Sequence, residues 1–380
     1  MRTEETRAQQ DGPVLRIFSD REFLPPGCAH AILLYPFWGK NPEKEHELTR
    51  GRFDAYEATG RRCFEAVPLA QAGLAVVPYD WFGDAPNPLA SRLIAQASAA
   101  GKRSVVFCNR DFDGEISVTH CTVFRTSFYR SKRKPWEFAQ PTWSEDLVER
   151  YLGGRLPLRE KSSTPTVGYC GYAAPERDTF RERWVAPLRR VRGGSRLLGA
   201  LRVGINEHPG ARLRARAVWL LARSASVRTN FLLRRAFWNG ALDGPPDAEF
   251  LRQTRQEFVQ NMMESDYILC VRGAGNFSYR LYETLSCGRI PVFVDTDCVL
   301  PCEEWIDWRN LCVWVDQTDL PHIAERVAAF HDALSPAEFE ERQRECRRVW
   351  EQWLSPTGFF ANFHRHFESG TSEQSRQCAS

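Results

Sequence analysis

The spacing of apolar residues predicts alternating strands and helices in the first part of the chain. Short apolar runs predict strands, and apolar residues at intervals of three and four predict helices. The predicted strands are residues 14–18, 31–35, 74–77, 104–108 and 116–124, and the predicted helices are residues 53–72 and 88–100. Alternation of this kind is typical of a doubly wound α/β sheet.

A second series of the same kind follows a polar stretch from about residue 131 to 166, which we interpret as an interdomain linker. The predicted strands of this series are residues 167–172, 267–271, 290–294 and 311–315, and its predicted helices are 177–191, 254–264 and 319–334. A last helix is predicted from Pro336, because Ser335 and Glu338 form a capping-box pattern.

The two series predict two domains and a tail. We expect an N-terminal Rossmann-like domain over residues 1–160, including the linker, and a C-terminal one over residues 161–335. Residues 336–380 form a helix and an aromatic tail, which either crosses back to the first domain or packs on its own domain.

Residues 267–295 combine a strand, a glycine-containing turn, a helix and another strand. The helix begins near Ser278, where unpaired backbone N–H groups and the positive end of the helix dipole favour an anion. Arg272 and Arg280 lie close by in the sequence. This pattern predicts a phosphate or diphosphate site, although glycines at such a position also serve tight turns without any ligand.

Composition narrows the class of protein. The 380 residues are 43% hydrophobic and 26% charged, which is typical of a globular chain. The net charge of +3 gives no reason to expect nucleic acid as a partner. The polar first residues and the lack of an apolar run of about 18 residues favour a cytoplasmic protein.

The twelve cysteines are scattered singly, and several lie inside predicted strands. This distribution favours buried free thiols over disulfides. Cys298 and Cys302, with Cys312 beyond them, approach the spacing of a metal site, but no histidine lies near enough to complete one.

Residues 181–235 carry fourteen arginines, no lysine and two acidic residues. Within them, residues 211–224 predict a cationic helix with a tryptophan. Such a helix either contacts an anionic membrane surface, where lipid-linked substrates lie, or packs on its own sheet with a solvated arginine face.

Residues 265–308 resemble the exostosin family of inverting glycosyltransferases, in particular its bacterial members. The resemblance rests on these matching positions: Arg272-Gly273, Asn276, Ser278, Arg280, Tyr282-Glu283, the turn from Gly288 to Pro291, Leu300-Pro301 and Asp307-Trp308. Weaker similarity extends to residues 124–141, 167–172 and 229–238. The resemblance implies the GT-B architecture, with two Rossmann-like domains facing each other across a cleft, and the two alternating series agree with it.

The resemblance also implies a donor site for a nucleotide sugar, expected to be a uridine diphosphate sugar. The implied donor-binding residues are Arg272, Gly273, Gly275, Asn276, Phe277, Ser278, Arg280 and Glu283, with Arg234 or Arg235 as a further cation. Glu283 would accept hydrogen bonds from the ribose hydroxyls. The acceptor would be a glycan or a lipid-linked precursor.

No metal or other cofactor is expected at this site. Asp295 and Asp297 form an acidic pair after a predicted strand, where a role in capping the loop and a role as ligands are both open. Arginines and a helix N-terminus can offset the charge of a diphosphate without a divalent ion.

Inversion by direct displacement needs a general base for the acceptor hydroxyl, which we expect from the N-terminal domain. The candidates are Asp80, Asp84, Asp111, Asp113 and Glu137. Asp111 and Asp113 come first because they directly follow a predicted strand, and Asp80 follows by the same argument. Each of them is also a common turn residue.

Three functions remain open on the sequence. The first is an inverting glycosyltransferase of polysaccharide synthesis. The second is another enzyme that uses sugar nucleotides on the same scaffold, such as an epimerase or a hydrolase. The third is a non-catalytic subunit that supports an active transferase.

Overall fold

The structure is a computed structural model that describes residues 12–43, 49–83, 87–118, 120–173, 209–234 and 247–368. Its strands are β1 (Leu15–Phe18), β2 (Phe64–Ala66), β3 (Leu74–Asp80), β4 (Arg103–Cys108), β5 (Cys121–Arg125), β6 (Glu137–Ala139), β7 (Thr166–Tyr172), β8 (Arg228–Arg234), β9 (Tyr267–Cys270), β10 (Ile290–Asp295) and β11 (Val313–Asp316).

The α-helices alternate with these strands over most of the chain. They are α1 (Tyr35–Trp38), α2 (Asp54–Thr59), α3 (Pro88–Ala99), α4 (Leu147–Tyr151), α5 (Pro209–Ala222), α6 (Ala248–Met263), α7 (Tyr279–Ser286), α8 (Trp308–Leu311), α9 (Ile323–Asp332), α10 (Pro336–Val349), α11 (Pro356–Ala361) and α12 (Arg365–Glu368). A π-helical turn, Trp350–Leu354, follows α10.

The chain divides into two compact units with one parallel sheet each. The first unit draws on Met1–Asp146, Asp297–Trp308 and Arg347–Ser380, and the second on Leu147–Thr296 and Arg309–Cys346. These limits differ from the predicted ones near residues 160 and 335, because two segments of the C-terminal half belong to the first unit. The predicted α/β fold class with two Rossmann-like domains is confirmed, while their GT-B arrangement stays a prediction.

The sheet of the first unit has the strand order β2-β1-β3-β4-β5-β6, and all its neighbouring strands are parallel. The chain goes from β1 to β2 on one side and to β3 on the other. Ligands of open α/β sheets bind at such a switch point, outside the carboxyl ends of the strands. A ligand-binding or catalytic site in this unit is therefore expected at the carboxyl ends of β1 and β3.

The sheet of the second unit has the order β11-β10-β9-β7-β8 and is also parallel. Here β7 has β8 on one side and β9 on the other, so the switch point lies between β7 and β9. Helices α5 and α6 pack on β7 and β8, and α7 packs on β9 and β10. The loop after β9, where the sequence predicts an anion site, thus leaves the sheet beside the switch point.

Aromatic side chains from the end of the chain complete the core of the first unit. Phe363 is fully buried, and its ring lies 4.7 Å from that of Phe124 on β5 and 5.8 Å from that of Phe64 on β2. Phe360 stacks on Tyr56 at 4.4 Å between ring centroids. Helix α11 and the turn after it therefore form part of the core of the first unit.

Two predictions in the N-terminal part are wrong. Residues 31–35 form a 3-10 turn that leads into α1 rather than a strand, and Pro36 in that helix has no N–H to donate to a sheet. The helix predicted over residues 53–72 ends at Thr59. A 3-10 turn, Gly60–Arg62, follows it and leads into strand β2.

The stretch interpreted as a linker contains regular structure. Strand β6 and helix α4 lie within it, and β6 pairs with β5 in the first sheet.

Strand β8 was missed because it has no alternating pattern: its Leu232 and Leu233 are 40% and 54% exposed. The predicted helix at 177–191 lies outside the described residues.

Other local predictions are confirmed. The Ser335 backbone N–H donates to Glu338 Oε2 at 2.7 Å, and the Glu338 N–H donates to Ser335 Oγ at 3.3 Å, which is the predicted capping box. The cysteines in the described ranges are free thiols, and most of them are buried.

Among the described helices, none has the length and apolar character needed to cross a membrane.

The aromatic core predicts a large effect of Phe363→Ala. Removal of this buried ring should lower the free energy of unfolding by about 3–5 kcal/mol, measured by urea denaturation. The matched control is Phe82→Ala, since the Phe82 ring is 49% exposed, and it should change the same quantity by less than about 1 kcal/mol. Similar values for the two variants would contradict the packing described for Phe363.

Candidate functional site

The loop that follows β9 is held by its own arginine. Arg272 Nε donates to the carbonyl oxygen of Gly275 at 3.2 Å, and Arg272 Nη2 donates to that of Ala274 at 3.1 Å. The Gly273 N–H donates to the Phe277 carbonyl oxygen at 2.9 Å. A Cβ atom built on Gly273 meets no described heavy atom within 4 Å. The loop is thus fixed from inside and has space beside Gly273.

Asn276 fixes the loop to the neighbouring strand. It is fully buried, and its Oδ1 accepts a hydrogen bond of 2.6 Å from Thr296 Oγ1, just after β10. Buried side-chain amides are stable only when they are hydrogen-bonded. Asn276 therefore contributes to the shape of the loop through this contact.

Ser278 is the N-cap residue of α7, but its side chain makes no capping hydrogen bond. The residue is only 4% exposed, and its Oγ has no hydrogen-bond partner among the described residues. A serine at this position normally bonds an N–H group of the first turn. A buried hydroxyl without a partner costs about 1–3 kcal/mol, so this oxygen would gain from a hydrogen bond to a bound ligand.

Arg280 lies on the first turn of α7 and reaches across to β7. Its Nη2 donates to the Cys170 carbonyl oxygen at 2.6 Å, and its guanidinium carbon lies 4.1 Å from the centroid of the Tyr169 ring. Gly171 permits this approach, because a Cβ atom there would lie 2.7 Å from Arg280 Nη2 and the backbone φ is +152°.

Arg214 on α5 brings a further cation to the same ends of β7 and β9. It donates to the Tyr172 carbonyl oxygen at 3.0 Å and to the Arg272 carbonyl oxygen at 3.1 Å. Burial lowers its pKa, and the charge of Arg280 lowers it further. Neither Arg214 nor Arg280 forms an ion pair with a described carboxylate, so an anion bound here would relieve their repulsion.

The start of α5 also touches the loop. A Cβ atom at Gly210 would collide with the carbonyl oxygens of Arg272 and Gly273, so only glycine allows the helix to pack so closely. The two elements that carry Arg214 and Arg272 are thereby held together.

The two other arginines predicted as donor contacts have different outcomes. Arg234 is buried at the end of β8, where its Nη2 donates to the Thr254 carbonyl oxygen and to Glu257 Oε2, both at 3.0 Å. It therefore already has a carboxylate partner. Arg235 lies outside the described residues.

Glu283 is buried on α7 and forms an ion pair with Arg255 of α6. Arg255 Nη1 lies 2.7 Å from Glu283 Oε1, and the two residues are 1% and 4% exposed. Removal of one partner from such a pair would leave an uncompensated buried charge. A solvated helix glutamate is excluded, while the predicted contact of Glu283 with a ribose stays a prediction.

Asp80 stands at the carboxyl end of β3, beside the switch point of the first sheet, and is partly exposed. Burial raises the pKa of its carboxyl to about 6, against the charge of Arg110 and a hydrogen bond from the Asn109 backbone, which both lower it. A carboxylate with this pKa can accept a proton near neutral pH.

The other predicted bases lie further from that point or have fixed partners. Asp111 is exposed in the loop after β4, and Asp113 accepts a hydrogen bond of 3.0 Å from the Tyr129 hydroxyl. Glu137 is buried in an ion pair of 2.9 Å with Arg125. Asp84 lies outside the described residues.

The acidic pair after β10 does not act as one unit. Asp297 has a φ of +64° and accepts hydrogen bonds from the backbone and the hydroxyl of Ser131, so it holds a loop of the first unit. Asp295 ends β10 and is partly exposed. Within the described ranges, no group of three or more His, Cys, Asp or Glu side chains is placed to hold a metal ion.

Sequence reasoning missed several residues that shape this site, namely Gly171, Gly210, Arg214 as a buried contact, and Arg255. One signal was present for Arg255. It follows Leu251 by four residues and precedes Val259 by four, so it lies on the apolar face of α6, and an arginine there needs a buried partner. The glycines gave no signal, because their neighbours are distant in the sequence.

Comparison with known proteins identifies the same region of the chain. Residues 212–330 match the family model of the exostosin GT47 domain, and they include the loop, α7 and most of the arginines described above. The resemblance predicted from the sequence is therefore confirmed over these residues.

Curated relatives of the chain carry names of the same kind. The chain is 30% identical over 119 residues to Exostosin-1 of Drosophila melanogaster, covering 31% of this chain and 15% of that protein. It is 31% identical over 90 residues to the probable beta-1,4-xylosyltransferase IRX10L of Arabidopsis thaliana, covering 24% and 21%. It is 29% identical over 111 residues to the probable glucuronosyltransferase 47 A of Physcomitrium patens, covering 29% and 24%. The alignments thus span at most about a quarter of these relatives.

Helix α5 has both an inner and an outer face. Arg214 belongs to the inner face, whereas Arg216 is exposed and Trp219 is 41% exposed. Arg223 lies over the Trp219 ring at 4.8 Å. The solvated part of the helix is therefore smaller than the row of arginines in the sequence indicates.

Proposed function

We propose that this protein is an inverting glycosyltransferase of polysaccharide synthesis. It transfers a sugar from a uridine diphosphate sugar to a hydroxyl group of a glycan or a lipid-linked acceptor. The buried Ser278 Oγ at the N-terminus of α7, which has no partner among the described residues, carries this proposal, because it can donate a hydrogen bond to an oxygen of a bound ligand. The names of the relatives, xylosyltransferase and glucuronosyltransferase, support a transferase.

The diphosphate of the donor is assigned to the start of α7. Ser278 Oγ and the N–H groups of the first turn would donate to its oxygens, while Arg280 and Arg214 supply positive charge. Charge develops on the diphosphate as its bond to the sugar breaks, and preorganised donors stabilise that charge. Glu283 and its partner Arg255 fix one side of α7 in this arrangement.

The nucleotide sugar is a co-substrate in this proposal, and the transfer needs no resident metal. The charge of the leaving diphosphate is offset by guanidinium groups and by the helix end, which are the groups present beside Ser278. Asp295 and Asp297 have no part in binding the donor.

Asp80 is the general base in this proposal, ahead of Asp111 and Asp113. It ends β3 beside the switch point, whereas the other two follow β4, one strand further from it. Its raised pKa, about 6, also suits proton transfer near neutral pH. The acceptor oxygen forms a bond to the anomeric carbon, the bond from that carbon to the diphosphate breaks, and the hydroxyl proton passes to Asp80.

A peripheral membrane contact through residues 211–224 is a separate part of the proposal. It rests on Trp219 and the exposed Arg216 and Arg223, because a tryptophan beside cations suits the interface of an anionic bilayer. This contact would bring the protein to lipid-linked acceptors.

The donor site predicts stabilisation by nucleotide sugars. A donor present at a hundred times its dissociation constant should raise the free energy of unfolding by about 2.7 kcal/mol, seen as a higher melting temperature. Ser278→Ala should weaken donor affinity by roughly tenfold or more, because it removes a hydrogen bond to a charged group. Calorimetric titration with uridine diphosphate measures this change.

Ser226→Ala is the matched control, since Ser226 is exposed in the same unit. It should leave the affinity unchanged. A wild-type protein that binds none of the uridine, guanosine and cytidine diphosphate sugars would contradict the donor site, and equal affinities of Ser278→Ala and wild type would contradict the role of Ser278.

The assignment of the base predicts a specific pH profile. Below a pH of about 6, kcat/KM should rise about tenfold per pH unit as Asp80 ionises, and it should level off above that value. Asp80→Asn should lower turnover by about 10²–10⁴-fold with donor affinity intact, while Asp111→Asn and Asp113→Asn keep turnover. Loss of turnover only in one of the latter two would overturn the assignment.

Protein stability distinguishes a lost base from a lost fold. The folded-state pKa of Asp80 is raised above the usual value of a carboxyl, so its ionisation costs stability as pH rises through that window. Asparagine removes this cost. At pH 8 the free energy of unfolding of Asp80→Asn should therefore be no lower than that of the wild type.

A further inference from the structure

The ring of Phe82, two residues after Asp80, supports the side chain of an arginine. The guanidinium carbon of Arg110 lies 3.8 Å from the centroid of the Phe82 ring. The Tyr79 ring is nearly parallel to the same ring, with an interplanar angle of 24° and 6.4 Å between the centroids. Although Phe82 is 49% exposed, its ring is therefore held by contacts within the first unit.

These contacts fix the position of a charge. Arg110 is an exposed residue of the loop after β4, and the side chain of an exposed arginine usually samples several rotamers. The cation–π contact with Phe82 restricts its guanidinium group. The backbone of Arg110 is fixed as well, because Thr126 Oγ1 donates to its carbonyl oxygen at 2.8 Å and the Thr126 N–H donates to the Cys108 carbonyl oxygen at 3.2 Å. Residues that follow β3 and β5 thus determine where this cation lies.

The fixed cation acts on the carboxyl of Asp80. Asp80 pairs with Phe107 in the sheet, and its carboxyl accepts a hydrogen bond from the backbone of Asn109, the residue before Arg110. Burial raises the pKa of this carboxyl to about 6, and the charge of Arg110 is the larger of the two effects that oppose burial. The loop after β4 thus supplies both a hydrogen bond and a positive charge to Asp80.

Two other titratable groups face Asp80, the Tyr35 hydroxyl on α1 and the Cys108 thiol on β4. Burial raises the pKa of both, that of the thiol to about 11, so both are neutral near pH 6. Two sets of opposite charges act in turn on these two groups, namely Arg52 with Glu43 and Arg125 with Glu137. Of the Tyr35, Cys108 and Arg110 side chains, Arg110 alone is charged at the pH where Asp80 ionises.

We propose that Arg110 is a positioning residue for the general base, and that the Phe82 ring holds its guanidinium group close to the Asp80 carboxyl. The inference rests on the proposed function, in which Asp80 takes the proton of the acceptor hydroxyl, and it deepens that function by naming what controls the base. A fixed cation near Asp80 keeps the carboxyl ionised at lower pH, which extends the pH range in which it can accept a proton.

The pH profile of kcat/KM tests this role. Arg110→Gln should raise the pH at which the profile levels off by roughly 0.5–1 unit, a small shift for a nearby opposite charge because Arg110 is exposed. At pH 5 this shift lowers kcat/KM by about three- to tenfold. Phe82→Ala should move the profile in the same direction, and Phe82→Tyr should keep the wild-type profile because the ring remains. A purely structural defect would lower kcat/KM at every pH without moving the profile.

Carbon-13 NMR of the aspartate carboxyls gives a second readout that needs no substrate. Asp80→Asn identifies the signal of Asp80 by its loss. The titration midpoint of that signal should shift upward in Arg110→Gln and in Phe82→Ala. Arg92→Gln is the matched control, since Arg92 of α3 lies over the Phe23 ring at 4.9 Å, and it should change neither the midpoint nor the kinetic profile.

The two readouts separate this inference from the function on which it rests. An unchanged midpoint of Asp80 in Arg110→Gln or in Phe82→Ala would overturn the role of Arg110. A shifted midpoint in a protein whose wild type transfers no sugar would uphold the control of Asp80 by Arg110 and refute the proposed function instead.

Discussion

Positive charge gathered at the ends of β7 and β9 is the constraint on which the second unit depends. Arg214, Arg272 and Arg280 come from three different elements, and their guanidinium groups must find acceptors in a partly buried place. Backbone carbonyl oxygens at the strand ends supply them, and this requires glycine at positions 171 and 210. The resulting surface is cationic and rigid before any ligand arrives, which reduces the reorganisation that binding requires.

Two further arginines of the same region have their positive charge balanced by carboxylates. Arg234 pairs with Glu257 and Arg255 pairs with Glu283, so these cations are balanced inside the unit. These two paired arginines therefore serve the fold, whereas other arginines of the region can bind an anion. The pairing of Arg255 with Glu283 also explains why Ser278 has a fixed position, since this pair holds the helix that begins directly after Ser278.

The first unit depends on a different constraint, the closure of its aromatic core by the end of the chain. Phe359, Phe360 and Phe363 pack on the face of a sheet made from the first 139 residues. Large rings bury much apolar area, so this contact stabilises the first unit. The same sheet then carries Asp80 and Phe82 at its carboxyl edge on rigid strands.

Local signals in the sequence predict local structure well in this chain. The capping box at Ser335 and the strand, turn and helix around Arg272 depend on residues close in sequence, and both are confirmed. Strand β8 could not be found because an edge strand with exposed Leu232 and Leu233 has no alternation. The ion pair of Arg255 and the close packing at Gly210 each join residues that are far apart in the sequence. A single sequence does not show which distant residues are in contact. The raised pKa of Asp80 likewise comes from burial, which spacing does not reveal.

The proposed function requires that a diphosphate binds at the start of α7. Amide hydrogen exchange of the whole protein, with and without uridine diphosphate, tests its location most directly. A bound diphosphate should slow the exchange of the backbone amides of residues 273–281, because they are held by the ligand and by the ordered loop. Protection confined to other segments, with unchanged exchange in this loop, would contradict it.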